Sequence, residues 1–147
     1  HDFFAARPVK DAAVFLLRYI LHDWTDEQAM VLLRSLRAAA LPTTHLVIAE
    51  KIIPFASRVD RKSDIPGASR PTAEAPLLPN WGLAMADLYF YDLTMRFNAA
   101  IMHVLLGGVE RTLDGFREML AKSGWQLVKV HYSPACLTLS HLVATPL

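Results

Sequence analysis

The feature that most constrains the fold is an abrupt change from apolar to polar residues within residues 12–28. Residues 12–20 form a nearly continuous apolar run, which is too short to cross a membrane and is typical of a strand buried on both faces of a parallel sheet. Thr25 is followed three positions later by Gln28, a spacing that predicts a capping box and a helix beginning at about Asp26. The sequence therefore predicts a buried strand, a short turn and a capped helix.

The turn between this strand and this helix is polar. It carries His22, Asp23 and Trp24, which follow the carboxyl end of the predicted strand. Open α/β sheets bind their ligands at that edge. The order of elements alone thus predicts a binding or active site around His22.

Composition limits the classes of partner. The 147 residues are 53% hydrophobic with a net charge of +1, enough for one domain with a substantial core. The charges are evenly spread and no apolar segment approaches the roughly 20 residues that span a bilayer, so we expect neither nucleic acid nor a membrane as partner.

Cys136 is the only cysteine, which favours a reducing compartment, by default the cytoplasm. Because the chain begins with His1 and carries no signal-peptide pattern, we expect it to be a piece of a longer product.

The remaining elements extend this start into an α/β domain. Residues 44–53 form a second β-branched run, so that strand, helix and strand make one βαβ unit with parallel neighbouring strands. Thr112 caps a short amphipathic helix that ends at Gly124. Residues 126–132 and 137–144 predict an antiparallel hairpin at a sheet edge.

Two stretches depart from this alternation. Residues 54–80 are rich in proline and lack apolar periodicity, which predicts a flexible, solvent-exposed insertion. Residues 81–106 are strongly apolar and rich in methionine and aromatic residues, which predicts one or two helices buried against a core, a partner or a ligand.

Three titratable residues could meet at one edge of the sheet. Glu50 ends the second strand as His22 follows the first, and parallel neighbours present such positions side by side. Glu110 lies in a glycine-led loop at a helix entry, from which a second carboxylate could reach the same cleft. A histidine held by a carboxylate is the usual form of a general base with a fixed tautomer.

Each of these residues also has a purely structural interpretation. His22 could satisfy the backbone of its loop, Glu50 could pair with a nearby basic residue, and Glu110 could pair with Arg111 or cap its helix. A metal site is a further alternative, with His22 and Asp23 joined by other histidines, although no second ligand stands at a ligand spacing on one element. The candidate ligands for that site are His45, His103 and His131.

Five short motifs carry a resemblance to a known family. They are DFF at 2–4, LLRYILHDWTDEQ at 16–28, LVIAEKIIP at 46–54, DLTM at 92–95 and GGVERT at 107–112. In this order the chain resembles the carboxyl-terminal half of the plant and fungal small-molecule O-methyltransferases of the caffeic acid type. The resemblance implies that residues 1–147 form part of a Rossmann-like class I methyltransferase domain of the α/β class, which uses S-adenosylmethionine to methylate a small aromatic or polyketide-like acceptor in secondary metabolism.

The resemblance also assigns catalytic roles. His22 would be the base, flanked by Glu50 and Glu110, and no metal is required. The base would remove the proton of an acceptor hydroxyl while the sulfonium of S-adenosylmethionine supplies an activated methyl group. An unperturbed histidine pKa of about 6.5 suits this work at neutral pH.

Binding roles follow from the same resemblance. Asp2 would contact the adenine side of the cofactor, Phe3 would pack on its ring, and Arg18 would touch it from four residues before the histidine. Asp23 would position the acceptor, and Met95 would cover the acceptor ring through soft, adaptable contacts.

Two family features are missing from this sequence. No glycine precedes Gly67, so the glycine-rich cofactor loop is absent, and so is the amino-terminal dimerisation domain that makes the full-length family members homodimers. A catalytically inactive remnant or assembly subunit is therefore an alternative to an active enzyme. A metal-dependent hydrolase that uses His22 and Asp23 is a third interpretation.

Overall fold

The computed structural model describes residues 2–5, 9–53, 64–68, 108–132 and 139–147. Within these ranges the chain forms a four-stranded sheet, a small two-stranded sheet and two α-helices. In chain order the elements are β1 (Val14–Arg18), a 3-10 turn (Leu21–Asp23), α1 (Asp26–Ala39), β2 (His45–Glu50), β3 (Ile52–Ile53), β4 (Arg111–Thr112), α2 (Leu113–Lys122), β5 (Trp125–Tyr132) and β6 (Ser140–Pro146).

The large sheet has the strand order β1, β2, β6, β5. β1 and β2 are parallel and are joined through α1, which confirms the predicted βαβ unit. β5 and β6 are antiparallel, as predicted, and β6 also pairs antiparallel with β2. The sheet is therefore mixed, and the carboxyl ends of β1 and β2 lie at the same edge.

Both helices begin where the sequence predicts. The hydroxyl of Thr25 accepts a hydrogen bond from the Gln28 backbone, and the Gln28 side chain accepts one from the Thr25 backbone, so the capping box is complete. Thr112 caps α2 by accepting from the Gly115 backbone at 3.2 Å. α2 ends before Gly124, whose φ of +82° lies in the left-handed region that glycine tolerates.

The hydrophobic core joins the two helices to one face of the sheet. The indole of Trp125 is fully buried and donates a hydrogen bond to the Leu33 carbonyl at 3.0 Å. Apolar residues at helical spacing supply the helix side of the core: Ala29, Leu32, Leu33 and Leu36 from α1, and Phe116, Met119 and Leu120 from α2. They pack on Leu17, Leu46, Ile48, Leu142 and Ala144 of the sheet.

The prediction that the first strand is buried on both faces is wrong for the described part of the chain. Leu17 of β1 is buried, but Val14 and Leu16 are 53% and 63% exposed. These two residues lie on the face opposite Phe15 and Leu17, and β1 stands at the end of the strand order. The helices described here cover the other face only.

The predicted single strand 44–53 is two strands. β2 pairs with β6 as far as Glu50, and the chain then leaves the large sheet at Lys51 to form β3, which pairs with β4. This change of partner at the end of β2 comes from pairing with distant segments, so the local pattern could not predict it. Glu50 nevertheless ends its strand as expected.

The predicted insertion 54–80 and the predicted helical stretch 81–106, which contains Met95, lie outside the described residues except for 64–68. Ile65 and Ala68 are buried in the core, so the expected exposure does not hold there. The Val130 backbone donates a hydrogen bond to the Pro66 carbonyl at 3.0 Å, which attaches this turn to β5.

Candidate active site

Glu50 is the centre of the candidate site. Its carboxylate is almost fully buried, with a side chain 1% exposed. One oxygen, Oε1, accepts hydrogen bonds from the Ile20 and Leu21 backbone at 2.7 and 2.8 Å. The other, Oε2, lies 2.9 Å from Nδ1 of His22. The predicted approach of His22 and Glu50 is therefore present, and Nδ1 of His22 donates to Glu50 because a carboxylate can only accept.

The turn that carries His22 is shaped by the end of β1. The Tyr19 backbone donates to the Ala49 carbonyl at 3.1 Å, which continues the parallel pairing by one residue. Tyr19 then adopts a φ of 52°, a left-handed conformation that is uncommon for a bulky residue and turns the chain sharply out of the strand. Its ring meets the imidazole of His22 edge to face, with 5.7 Å between centroids.

The second nitrogen of His22 faces a carboxylate as well. Nε2 lies 3.2 Å from Oδ1 of Asp23, whose side chain is 44% exposed. The hydrogen bond to Glu50 is the main cause that raises the pKa of His22 above 6.5, burial opposes it, and the charges of Glu50, Asp23 and Glu110 add to the increase. The site thus stabilises an imidazolium.

Glu110 approaches this pair on a loop that is bonded to the histidine turn. The Val109 backbone donates to the His22 carbonyl at 2.9 Å, and a Cβ on Gly108 would lie 2.1 Å from that carbonyl oxygen, so only glycine allows this approach. The Glu110 side chain is 3% exposed, and its nearest ion-pair partner is Lys51, with 3.9 Å between Nζ and Oε1.

Burial makes the ionisation of Glu110 less favourable than in water. Oε2 is buried and has no hydrogen-bond partner among the described residues. Burial raises the pKa of this carboxyl above 4.5, and the charges of Lys51 and His22 only partly offset that effect. The three predicted catalytic residues therefore lie close enough for their charges to interact, and each carboxylate has a different environment.

Arg111 is the residue that sequence analysis missed. We considered it only as an ion-pair partner of Glu110, but its guanidinium instead bonds Asp26 at the start of α1 and three backbone carbonyls around the histidine turn. Its side chain is 4% exposed. The contacts join residues 85 and 90 positions apart in sequence, so no local pattern could have revealed them.

The predicted cofactor residues lie beside the same turn. Asp2 is exposed, and its carboxylate accepts from the Phe4 backbone at 2.9 Å. The rings of Phe3 and Phe4 pack against Trp24 with centroids 5.8 and 4.8 Å apart. The two phenylalanine rings thus lie against Trp24, which is two residues after His22.

Arg18 is exposed at the end of β1, with its guanidinium carbon 5.8 Å from the Tyr19 ring centroid. The cation therefore lies on the same edge as the histidine turn. Met95, the predicted cover of the acceptor, is outside the described residues. The described part of the chain contains no group of three or more metal-ligating side chains and no helix long and apolar enough to cross a membrane.

The chain is similar to known O-methyltransferases in both sequence and fold. The sequence profile of the O-methyltransferase domain matches residues 1–66. A relative described as 4-O-methyltransferase 1 of Phanerochaete chrysosporium is 45% identical over 133 residues, which cover 89% of this chain and 27% of the relative. This chain thus spans about a quarter of the length of that relative.

Solved structures agree on the fold. The mitomycin 7-O-methyltransferase MmcR matches all of this chain with a TM-score of 0.69 at 22% identity, over 33% of its own length. The O-methyltransferase NcsB1 from neocarzinostatin biosynthesis, solved with S-adenosyl-L-homocysteine and 1,4-dihydroxy-2-naphthoic acid, matches all of it with a TM-score of 0.63 at 21% identity, over 33% of its length.

These matches define the class of protein: an α/β chain with the class I methyltransferase fold. By sequence the chain is homologous to the small-molecule O-methyltransferases that depend on S-adenosylmethionine, as the motifs predicted. The finer assignment to the caffeic acid type stays a prediction.

Proposed function

We propose that this chain supplies the general base and part of the cofactor pocket of an O-methyltransferase that depends on S-adenosylmethionine, with His22 as the base. The observation that carries the proposal is the buried Glu50 carboxylate, which bonds Nδ1 of His22 at 2.9 Å and the two backbone amides before it. A carboxylate in this position fixes the neutral imidazole with its proton on Nδ1. Nε2 then carries the lone pair that can accept a proton.

The acceptor hydroxyl is oriented and deprotonated by the residues of this cleft. Its proton would pass to Nε2 of His22, and its oxygen would take the methyl group from the cofactor, whose sulfur–carbon bond breaks as the carbon–oxygen bond forms and which leaves as a neutral thioether. The resulting imidazolium is stabilised by Glu50, Asp23 and Glu110, whose charges all raise the pKa of His22. The Asp23 carboxylate is exposed beside Nε2 of His22. When the acceptor hydroxyl takes its place at Nε2, the Asp23 side chain can turn toward the acceptor and position it.

Asp2, Phe3 and Arg18 would hold S-adenosylmethionine, which when bound supplies a methyl group activated by its sulfonium. The carboxylate and the ring suit the adenosine end, and the exposed guanidinium suits the carboxylate of the methionine end. Met95 would cover the acceptor ring. Homodimerisation of the full-length protein and a cytoplasmic location stay predictions.

The proposed acceptor is a small hydroxylated aromatic compound. The support is the name of the Phanerochaete relative, a 4-O-methyltransferase, and the 1,4-dihydroxy-2-naphthoic acid in the NcsB1 complex. Activity assays with a panel of phenols and naphthols, including 1,4-dihydroxy-2-naphthoic acid, would identify the acceptor within this class.

The test is His22→Gln in the complete protein that contains this chain. Glutamine keeps the size and hydrogen-bonding capacity but cannot accept a proton at neutral pH, so methyl transfer from radiolabelled S-adenosylmethionine should fall by roughly 10²–10⁴, the usual worth of a general base. Cofactor affinity should barely change. His131→Gln, an exposed histidine on β5, is the matched control and should leave the rate unchanged.

Two results would contradict the proposal. One is nearly full turnover by His22→Gln on an acceptor with an un-ionised hydroxyl. The other is a wild-type protein that binds S-adenosylmethionine yet methylates no member of the panel, which would favour an inactive remnant or an assembly subunit.

A further inference from the structure

Arg111 holds an unusual position for a charged residue. It lies in the two-residue strand β4 and is buried beneath the turn that carries His22. Its Nη1 donates to the Leu21 carbonyl at 2.7 Å and to the Val109 carbonyl at 2.9 Å. Its Nη2 donates to the Trp24 carbonyl at 2.9 Å. One guanidinium thus bonds the backbone on both sides of His22 and the residue before Glu110.

The charge of Arg111 is neutralised by a residue outside the cleft. Its Nε and Nη2 each lie 2.8 Å from Oδ1 of Asp26, the first residue of α1. Asp26 therefore orients the guanidinium plane and anchors it to the helix that follows the turn. A lysine cannot form this set of bonds, because its single nitrogen cannot bond three carbonyls and a carboxylate at fixed directions.

Glu50 makes the complementary contacts on the other side of the turn. Its carboxylate binds the amides of Ile20 and Leu21, and Arg111 binds the carbonyls of Leu21 and Trp24. The backbone that carries His22 is therefore held between a buried carboxylate and a buried guanidinium. Only the guanidinium also reaches the loop that carries Glu110.

We propose that Arg111 is a positioning residue that sets the distance between the base His22 and the carboxylates around it. The inference rests on the proposed function of His22 as a base, which it deepens. Arg111 acts through the backbone of both loops. Its loss should separate His22 from Glu50 and Glu110, and since both carboxylates raise the pKa of His22, that pKa should fall.

The test is Arg111→Lys in the complete protein, because lysine keeps the charge and removes the bridging geometry. We expect the pKa of His22, followed by NMR of the labelled ring nitrogens, to fall toward 6.5, and kcat to fall roughly 10- to 100-fold, as a misplaced catalytic group does. KM for S-adenosylmethionine should stay within about twofold, because the hydrogen bonds of Arg111 go to Asp26 and to the carbonyls of Leu21, Val109 and Trp24.

The matched control is Arg37→Lys. Arg37 also bridges two carbonyls with its guanidinium, those of Gly124 and Leu147 at 3.0 and 2.8 Å, but it ties α1 to the carboxyl terminus. Both variants should lower the Tm, whereas only Arg111→Lys should change the pKa of His22. A merely stabilising Arg111 would lower the Tm and leave the native pKa of His22 unchanged, which would overturn the inference.

Asp26→Asn is the second variant, for use if Arg111→Lys does not fold. It leaves Arg111 in place but removes the charge that orients it, so the pKa of His22 should fall in the same direction by a smaller amount, and an unchanged pKa would count against the inference. Failure of the underlying function is distinguishable: in that case His22→Gln would leave methyl transfer intact even though Arg111→Lys moves the pKa of His22.

Discussion

Replacing Glu50 by glutamine should reverse the tautomer of His22. The carboxylate accepts three hydrogen bonds, of 2.7, 2.8 and 2.9 Å, but the amide has only one oxygen. With that oxygen at the Oε1 position, both backbone bonds survive and the amide nitrogen faces Nδ1 of His22. In the opposite orientation the oxygen would keep only the bond from Nδ1 of His22, and the amide nitrogen, a donor, would face the backbone N–H groups of Ile20 and Leu21. The first orientation is therefore favoured.

In that orientation Nδ1 must become an acceptor, and the proton moves to Nε2. This position already lies 3.2 Å from Oδ1 of Asp23, which can accept the new N–H and so supports the reversed tautomer. Three hydrogen bonds to a charged carboxylate become bonds between neutral groups, and each change costs about 1 kcal/mol. The variant should therefore lose about 3 kcal/mol of stability. Because Nε2 no longer carries a lone pair, methyl transfer should fall by roughly 10²–10⁴.

The assay is NMR of the histidine ring nitrogens in the complete protein, which reports the nitrogen that bears the proton, combined with the methyl-transfer rate. Thr44→Val is the matched control, because the buried Thr44 hydroxyl also bonds two backbone groups, those of Ala12 and Leu41, but next to the other end of β2. It should destabilise the fold and leave His22 unchanged. A Glu50→Gln variant that keeps the proton on Nδ1 and a normal rate would refute the reasoning.

Two further predictions concern the other carboxylates. Asp23→Asn removes a charge that helps raise the pKa of His22, so that pKa should fall and the acidic limb of the pH–rate profile should move to lower pH; an unmoved limb would contradict the electrostatic role of Asp23. Glu110→Gln should stabilise the fold by about 1 kcal/mol at neutral pH, because it removes a buried carboxylate whose Oε2 has no hydrogen-bond partner in the described part of the chain. Since the raised pKa of Glu110 means that its ionisation lowers stability, this gain should vanish below about pH 4.5 in acid-titrated urea unfolding. The exposed Glu118→Gln on α2 should change stability by less than about 0.5 kcal/mol at any pH, and an equal gain there would refute the role of burial.

Local signals made the start of the site predictable. The capping box at Thr25 fixed where α1 begins, and the apolar run fixed where β1 ends, so the position of His22 followed. The approach of Glu50 to His22 followed in turn from parallel pairing, because the carboxyl ends of neighbouring parallel strands lie at one edge. These inferences needed only short stretches of sequence and one rule of topology.

Features made by distant contacts were not predictable. The apolar composition of β1 suggested burial on both faces, but composition does not say which elements cover a strand. The change of strand partner after Glu50 depends on β4, which lies about 60 residues later in the chain. The role of Arg111 depends on backbone carbonyls, which every residue has whatever its side chain. Carbonyl acceptors leave no mark in side-chain patterns, so only the folded chain reveals such a residue.

We propose that His22 removes the acceptor proton while its imidazole is neutral and held by Glu50. The most direct measurement is the pH dependence of the single-turnover methyl-transfer rate in the complete protein, with an acceptor whose phenol ionises near pH 10. We expect the rate to rise with pH along one ionisation and then to level off, with a pKa that lies above 6.5 and equals the pKa of His22 found by NMR. A rate that stays constant while His22 titrates would rule out His22 as the base.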